Sequence, residues 1–287
     1  MIRTTLLATS VALLFAASAH AQPLQMKVYN ADGKSFNVTS TLVYGDKEAV
    51  VIDAGFTRAD ALRIAANVLD SGKQLKTIYI SQADPDYYFG AETLKGIFPL
   101  AEVVTTPAVL AKLSAKMSAK LAFWSPKMGA NAPRQPVLPT ALTGSSLTVD
   151  GEKIEIRGQT GLLAHRPYAW IPSLQAVVGN IGVFGGLHVW TADTQTAAER
   201  SAWVAQLDEM AALKPAVVVP GHMRTGTPLN ASAVAYTKAY MQAFEQAAAE
   251  TKTSAELITR MKQAYPDAPE GVALDIGAKV NKGDMKW

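Results

Sequence analysis

The chain has no cysteine and only four histidines: His20, His165, His188 and His222. Without thiols it can form neither disulfides nor thiolate metal sites, and a cysteine nucleophile is excluded. Four imidazoles are also too few for a site that holds two zinc ions largely through histidine. Charge is scarce, at 18% of residues, and nearly balanced, with 27 basic against 24 acidic side chains. Lys and Arg are scattered rather than striped, so nucleic acid is not an expected partner. Long apolar runs are missing too, since each later one breaks at a charge or a turn residue. No transmembrane helix is therefore expected.

What is present begins with residues 1–21, which read as a secretory signal. Arg3 supplies the positive end, Leu6 to Ala17 the apolar stretch, and Ala19-His20-Ala21 a small-residue cleavage site before Gln22. The expectation is an exported protein, periplasmic or secreted, with no membrane anchor after cleavage. Residues 22–287 then form a single domain, and the apolar fraction of 49% supports a sizeable core.

Strand patterns cover Met26 to Tyr29, Phe36 to Tyr44 and Ala49 to Ile52, the last a continuous apolar run typical of a strand buried on both faces. Thr57 is placed to cap a helix over Arg58 to Leu69, which Gly72 closes. Thr77 to Ile80 is the next strand, then Ala91 to Phe98 a helix, Glu102 to Val104 a strand and Pro107 to Lys120 a helix. The Pro-, Gly- and Asn-rich region 123–139 reads as a loop joining two αβ halves. Strands resume at Leu147 to Val149, Ile154 to Ile156 and Gln175 to Val178. A helix over Ala197 to Leu213 follows, then Val217 to Val219. C-terminal helices occupy 231–287, with segments about Ala231 to Thr251 and Ser254 to Gln263. This alternation implies an α/β fold of two mixed sheets packed together and covered by helices on both outer faces.

Three signals occur in fixed order. They are the apolar strand ending in Asp53-Ala54-Gly55, the segment I-S-Q-A-D-P-D-Y-Y-F-G from Ile80 to Gly90, and Pro220-Gly221-His222 after a Val strand. With Val178-Gly179-Asn180, this set resembles the metallo-β-lactamase-fold hydrolases over nearly the whole chain. The resemblance implies a four-layer αββα sandwich with its site at the strand ends. It also implies a motif H-x-H-x-D-H, a downstream histidine, a bridging aspartate and a late P-G-H.

Most of those ligand positions hold other residues here. The first two histidines fall on Gln82 and Asp84, the aspartate on Asp86 and the next histidine on Tyr87. The downstream histidine falls on Gln159, or on His165 if the loop is shifted, and the bridging aspartate on Asn180. Only Asp86 and His222 match. A zinc pair is therefore not expected. If any metal binds, the oxygen-rich set Asp84, Asp86 and His222 suits one hard divalent cation such as Mg²⁺, Ca²⁺ or Mn²⁺.

The same residues also have structural readings. Asp84-Pro85-Asp86 is a good helix start, with Asp84 as N-cap and Pro85 at the first helical position. His222 can bond backbone in a tight turn, Asp53 can tie loop amides together, and Tyr87, Tyr88 and Phe89 can be core. Lys112 to Lys120 reads as a solvated helix face. Tyr236, Tyr240 and Phe244 form an apolar stripe that is either core or interface.

Two functions stay open. In the first, a hydrolase-like enzyme uses Asp86 to orient His222 as general base, with Tyr87 assisting. In the second, a non-catalytic protein keeps the cleft for a small molecule or a partner. Gln82, Asp84, Asn180, His188, Trp190 and Tyr88 are the candidate binding residues in either case.

Overall fold

The computed structural model describes residues 23–269 and 271–287; the signal-like segment 1–21, with His20, lies outside them. Strands β1 (Gln25–Asn30), β2 (Thr39–Tyr44), β3 (Glu48–Ile52), β4 (Gln74–Ile80), β5 (Glu102–Thr105) and β6 (Thr140–Ala141) lie side by side in chain order. The first three run antiparallel, and from β3 onward the neighbours are parallel. The parallel crossovers carry α1 (Arg58–Ser71), α2 (Pro85–Tyr88), α3 (Ala91–Ile97) and α4 (Pro107–Met128).

The second half begins with β7 (Ser146–Val149), β8 (Glu152–Arg157), β9 (Tyr168–Ile171), β10 (Ala176–Val178) and β11 (Phe184–Gly185). It continues through α5 (Ala197–Ala212), β12 (Val217–Val218), β13 (His222–Met223), α6 (Ser232–Glu250), α7 (Ser254–Ala264) and α8 (Gly271–Lys282). Its main sheet has the order β12-β10-β9-β8-β7, and β11 pairs with β13 in a small parallel ribbon.

The period of two along each strand explains the layers. In β3, Ala49 and Val51 face the helix side while Val50 and Ile52 face the other sheet. In β9, Ala169 and Ile171 meet that inter-sheet core, and Tyr168 and Trp170 face helices α5 to α8. Two sheets thus share one apolar layer, with a helical layer outside each. This is the four-layer αββα sandwich.

Helix α1 starts with a reciprocal capping box between Thr57 and Asp60 and ends at Gly72, whose φ of 65° is left-handed. Elsewhere the elements depart from the sequence reading. Helix α4 continues to Met128, through part of the expected loop, with Pro126 tolerated in its last turn. The second strand starts only at Thr39, because a 3-10 turn at Gly33–Ser35 and left-handed Phe36 and Asn37 precede it. Strand β9 and helix α8 are additional. Tyr240 and Phe244 are fully buried against α7 and α8, so their stripe is core. Among the described residues no helix is long and apolar enough to cross a membrane.

Candidate functional site

The parallel strands end on one edge, and the connections leaving β3, β4, β10 and β12 meet there, the usual ligand-binding edge of an open α/β sheet. Asp53 leaves β3 with φ 67° and directs its carboxylate sideways: Oδ1 accepts from Ser81 N at 2.8 Å and Oδ2 from Ser81 Oγ at 2.8 Å. It is a tie between loops, 2% exposed. Burial pushes it up to about 8, against the pull of the Ser81 bonds.

Two further sutures fix the 81–90 loop. Ala54 N donates to Tyr87 O at 2.7 Å and Gly90 N to Gly55 O at 3.0 Å. A side chain at Gly90 would put its Cβ 2.0 Å from Ala54 O, so the close approach requires glycine. The Pro220-Gly221-His222 turn is held the same way. Thr39 donates to the Pro220 and Gly221 carbonyls, and a Cβ on Gly221 would lie 1.9 Å from Asn180 O.

His222 therefore has one fixed ring orientation. Its Nδ1 is 2.8 Å from Phe36 O; a carbonyl only accepts, so Nδ1 carries the proton. Nε2 then faces Asp86 Oδ2 at 3.5 Å. Burial pushes Asp86 up to about 7, with Asp193 adding to the rise and Lys120 opposing it. The ring stacks on Phe184 at 5.2 Å between centroids and meets the edge of Tyr87 at 5.6 Å. Sequence assigns Asp86 to orienting His222; in the structure the Phe36 carbonyl does so, and Asp86 sits on the nitrogen that faces the cleft.

Asp84 occupies the N-cap position of α2, but its side chain makes no capping bond. Oδ1 lies instead 3.6 Å from Lys120 Nζ of α4, and 28% of the Asp84 side chain is accessible, toward the cleft. Burial first, then Asp193 and Asp86, push Asp84 up to about 7, and Lys120 and Arg166 pull it back.

The cleft itself is a cavity of about 330 Å³. Asp84, Asp86, Lys120, His188 and His222 supply its polar groups, and Phe36, Phe56, Trp124, Phe184, Trp190 and Trp287 most of its aromatic wall. Of the residues expected from sequence, Asp84, Asp86, His188, Trp190 and His222 come together here. His188 Nδ1 pairs with Tyr240 Oη at 3.0 Å, and burial keeps this imidazole below its ordinary range.

The other candidates lie off the cleft. Gln82 is 2% exposed and donates to Pro167 O, and Asn180 is 1% exposed and donates to Val219 O. Tyr88 packs in the core under α1 and α3, because one turn of helix sends successive side chains in different directions. Tyr87 is fully buried behind His222, and burial with the nearby carboxylates drives its phenol far up. Gln159 bonds Ile156 O. His165, half-buried near Lys112 and Arg166, is pushed down to about 4, chiefly by burial.

Sequence reading missed Phe36, Lys120, Arg166, Asp193 and Trp287. Lys120 belongs to the run read as a solvated face, yet it points at Asp84. Arg166 is a buried guanidinium lying 4.0 Å over the Trp203 ring. Asp193 accepts from Trp190 Nε1 at 2.6 Å and Trp287 Nε1 at 2.9 Å, clasping two indoles at the cleft mouth. The spacing Trp190-x-x-Asp193 on a loop is the one local signal that pointed this way.

These residues do not fit a zinc pair. Gln82 and Asn180 offer amides, Tyr87 a buried phenol, and Asp84 is engaged by a lysine. Arg166 adds a fixed positive charge that acts on Asp84, Asp193 and Tyr87 and would repel a metal ion.

Comparison with known proteins gives a consistent picture. Residues 33–154 match the model described as the metallo-beta-lactamase superfamily. No curated protein sequence matches the chain. A metallo-beta-lactamase family protein from Thermus thermophilus superposes with a TM-score of 0.60 at 18% identity, over 91% of this chain and 93% of that one. A beta-lactamase domain protein from Burkholderia ambifaria gives 0.62 at 12% identity, over 93% and 88%. The stereoselective inverting sec-alkylsulfatase Pisa1 from a Pseudomonas species gives 0.60 at 14% identity, over 90% of this chain but 49% of that one.

Proposed function

We propose that this chain, which belongs to the metallo-β-lactamase superfamily, is an exported hydrolase-like protein acting on a small ester- or lactone-type molecule through Asp86 and His222. Fold alone does not carry the proposal, because function lives in the site. One observation does: the Phe36 carbonyl holds Nδ1 of His222, which leaves Nε2 facing Asp86 at 3.5 Å in the wall of the cleft.

Such a pair can take a proton from an attacking water as the water oxygen bonds to the carbonyl carbon. It can return that proton to the leaving oxygen as the ester bond breaks. Lys120 Nζ lines the same cavity, 3.6 Å from Asp84. Tyr87 supports the His222 ring from behind and is a positioning residue. No step in this scheme runs through a divalent cation.

A second reading, favoured by the aromatic lining, keeps the cleft as a binding pocket without turnover. In both readings the partner is a small molecule, and export rests on the N-terminal segment. The two separate on one experiment: hydrolysis of a panel of aryl esters, lactones and β-lactams by the wild-type protein and by His222→Gln. Turnover of at least one substrate, lost in the variant, supports the enzyme. Absence of turnover, with ligand binding retained, supports the pocket.

A further inference from the structure

We infer that the cleft selects an uncharged, largely aromatic molecule with a single polar head group, and turns away ions of the same shape. The inference rests on the cleft being the ligand site proposed above, but not on any chemistry occurring in it.

The charged groups in and behind the cleft already answer one another. Asp84 and Lys120 form an ion pair at 3.6 Å. Asp86 and His222 face each other at 3.5 Å. Asp193 holds two indole N–H groups and acts electrostatically on the buried Arg166. With Lys112 and Glu199 acting on the same groups from behind, four carboxylates stand against four basic groups. His188, engaged by Tyr240 and held below its ordinary range, adds an uncharged imidazole. A ligand carboxylate, sulfate or ammonium would enter this space without a free counter-charge. It would lose its hydration and regain little, and that cost falls on the ion alone.

The wall fits an apolar body. Phe56 stacks with Phe89 behind it and meets Trp124 edge-on, Phe184 backs His222, and Trp190 and Trp287 close the far side. Val272 and Ile276 of α8 complete the aliphatic side. At about 330 Å³ the cavity is at the small end of ligand sites. An aromatic ring system fits with its head group at Asp86 and His222.

The test is calorimetric titration at pH 7 with three probes on one skeleton: naphthalene-2-methanol, naphthalene-2-carboxylate and naphthalen-2-ylmethylammonium. The wild-type protein is expected to bind the alcohol at least ten-fold more tightly than either ion. Asp84→Asn, which frees Lys120, shifts the preference toward the carboxylate. Lys120→Met, which frees Asp84, shifts it toward the ammonium. Either ion matching the alcohol in the wild type, no binding by any probe, or an order unmoved by both variants would overturn the inference. Selective alcohol binding without ester turnover would instead defeat the enzymatic reading and leave this one standing. Turnover of charged and uncharged esters alike would do the reverse.

Discussion

Oδ2 of Asp86 lies 3.5 Å from Nε2 of His222, the ring nitrogen opposite the one held by the Phe36 carbonyl. The tautomer of His222 is thereby set by backbone, and the carboxylate is left facing Nε2. In ¹⁵N-histidine-labelled protein, His222 should read as the Nδ1–H form. Asp86→Asn should leave that tautomer unchanged, since Phe36 and not Asp86 imposes it. The same variant should lower kcat of any turnover roughly 10²- to 10⁴-fold, the usual worth of a positioned acid–base group.

The buried Asp53 gives a pH dependence whose sign is fixed. Its folded value, about 8, lies above its unfolded one, so the native state holds the proton more tightly. Stability is therefore greatest on the acid side and falls as pH rises from about 4 to about 8. Urea midpoints at pH 5.5 and 8.5 should show this fall. Asp53→Asn still accepts from Ser81 N through its amide oxygen, can donate to Ser81 Oγ through its amide N–H, and suits the left-handed backbone, so it should flatten the dependence and stabilise the protein at the higher pH.

Two glycines separate packing from propensity. Gly90→Ala drives a Cβ into Ala54 O at 2.0 Å, and should destabilise strongly and loosen the loop carrying Asp84 and Asp86. Gly96→Ala, inside α3 with nothing within 4 Å, should stabilise by about 0.5–1 kcal/mol. Chemical denaturation of the two variants checks both signs.

Trp287 closes the cleft by contacts to Trp190, Asp193 and Lys120. Trp287→Ala should weaken an apolar ligand roughly five-fold, in line with about 1 kcal/mol for an aromatic contact, and leave the thermal midpoint nearly unchanged because the residue is 45% exposed. Calorimetry and a melting curve together read both.

Much of this fold is legible in the sequence because period and capping agree. The run Ala49 to Ile52 is apolar throughout since both its faces are covered, and Thr57 with Gly72 brackets α1. Helix α8 hides because Gly271 and Gly277 resemble breakers. Gly277 is instead a contact, where a Cβ would meet Thr191 Oγ1 at 2.3 Å. At the site, Asp86 and His222 are readable from motif order, and His188 and Trp190 from their place on the loop soon after Asn180. Lys120 is not, because its partner Asp84 is brought to it only by the packing of α4 on the loop after β4. Tyr88 and Gln82 sit in the right segment but face the core, a direction that a one-turn helix leaves open to tertiary packing.

The central claim is that protein side chains, and not a zinc pair, carry the chemistry at Asp86 and His222. The measurement that tests it most directly is the rate of hydrolysis of an uncharged aryl ester by protein stripped with chelator, compared with the same protein reloaded with zinc and with His222→Gln. Side-chain catalysis gives a rate that survives stripping, gains nothing from zinc and disappears in the variant. A rate abolished by stripping and restored by stoichiometric zinc would contradict it.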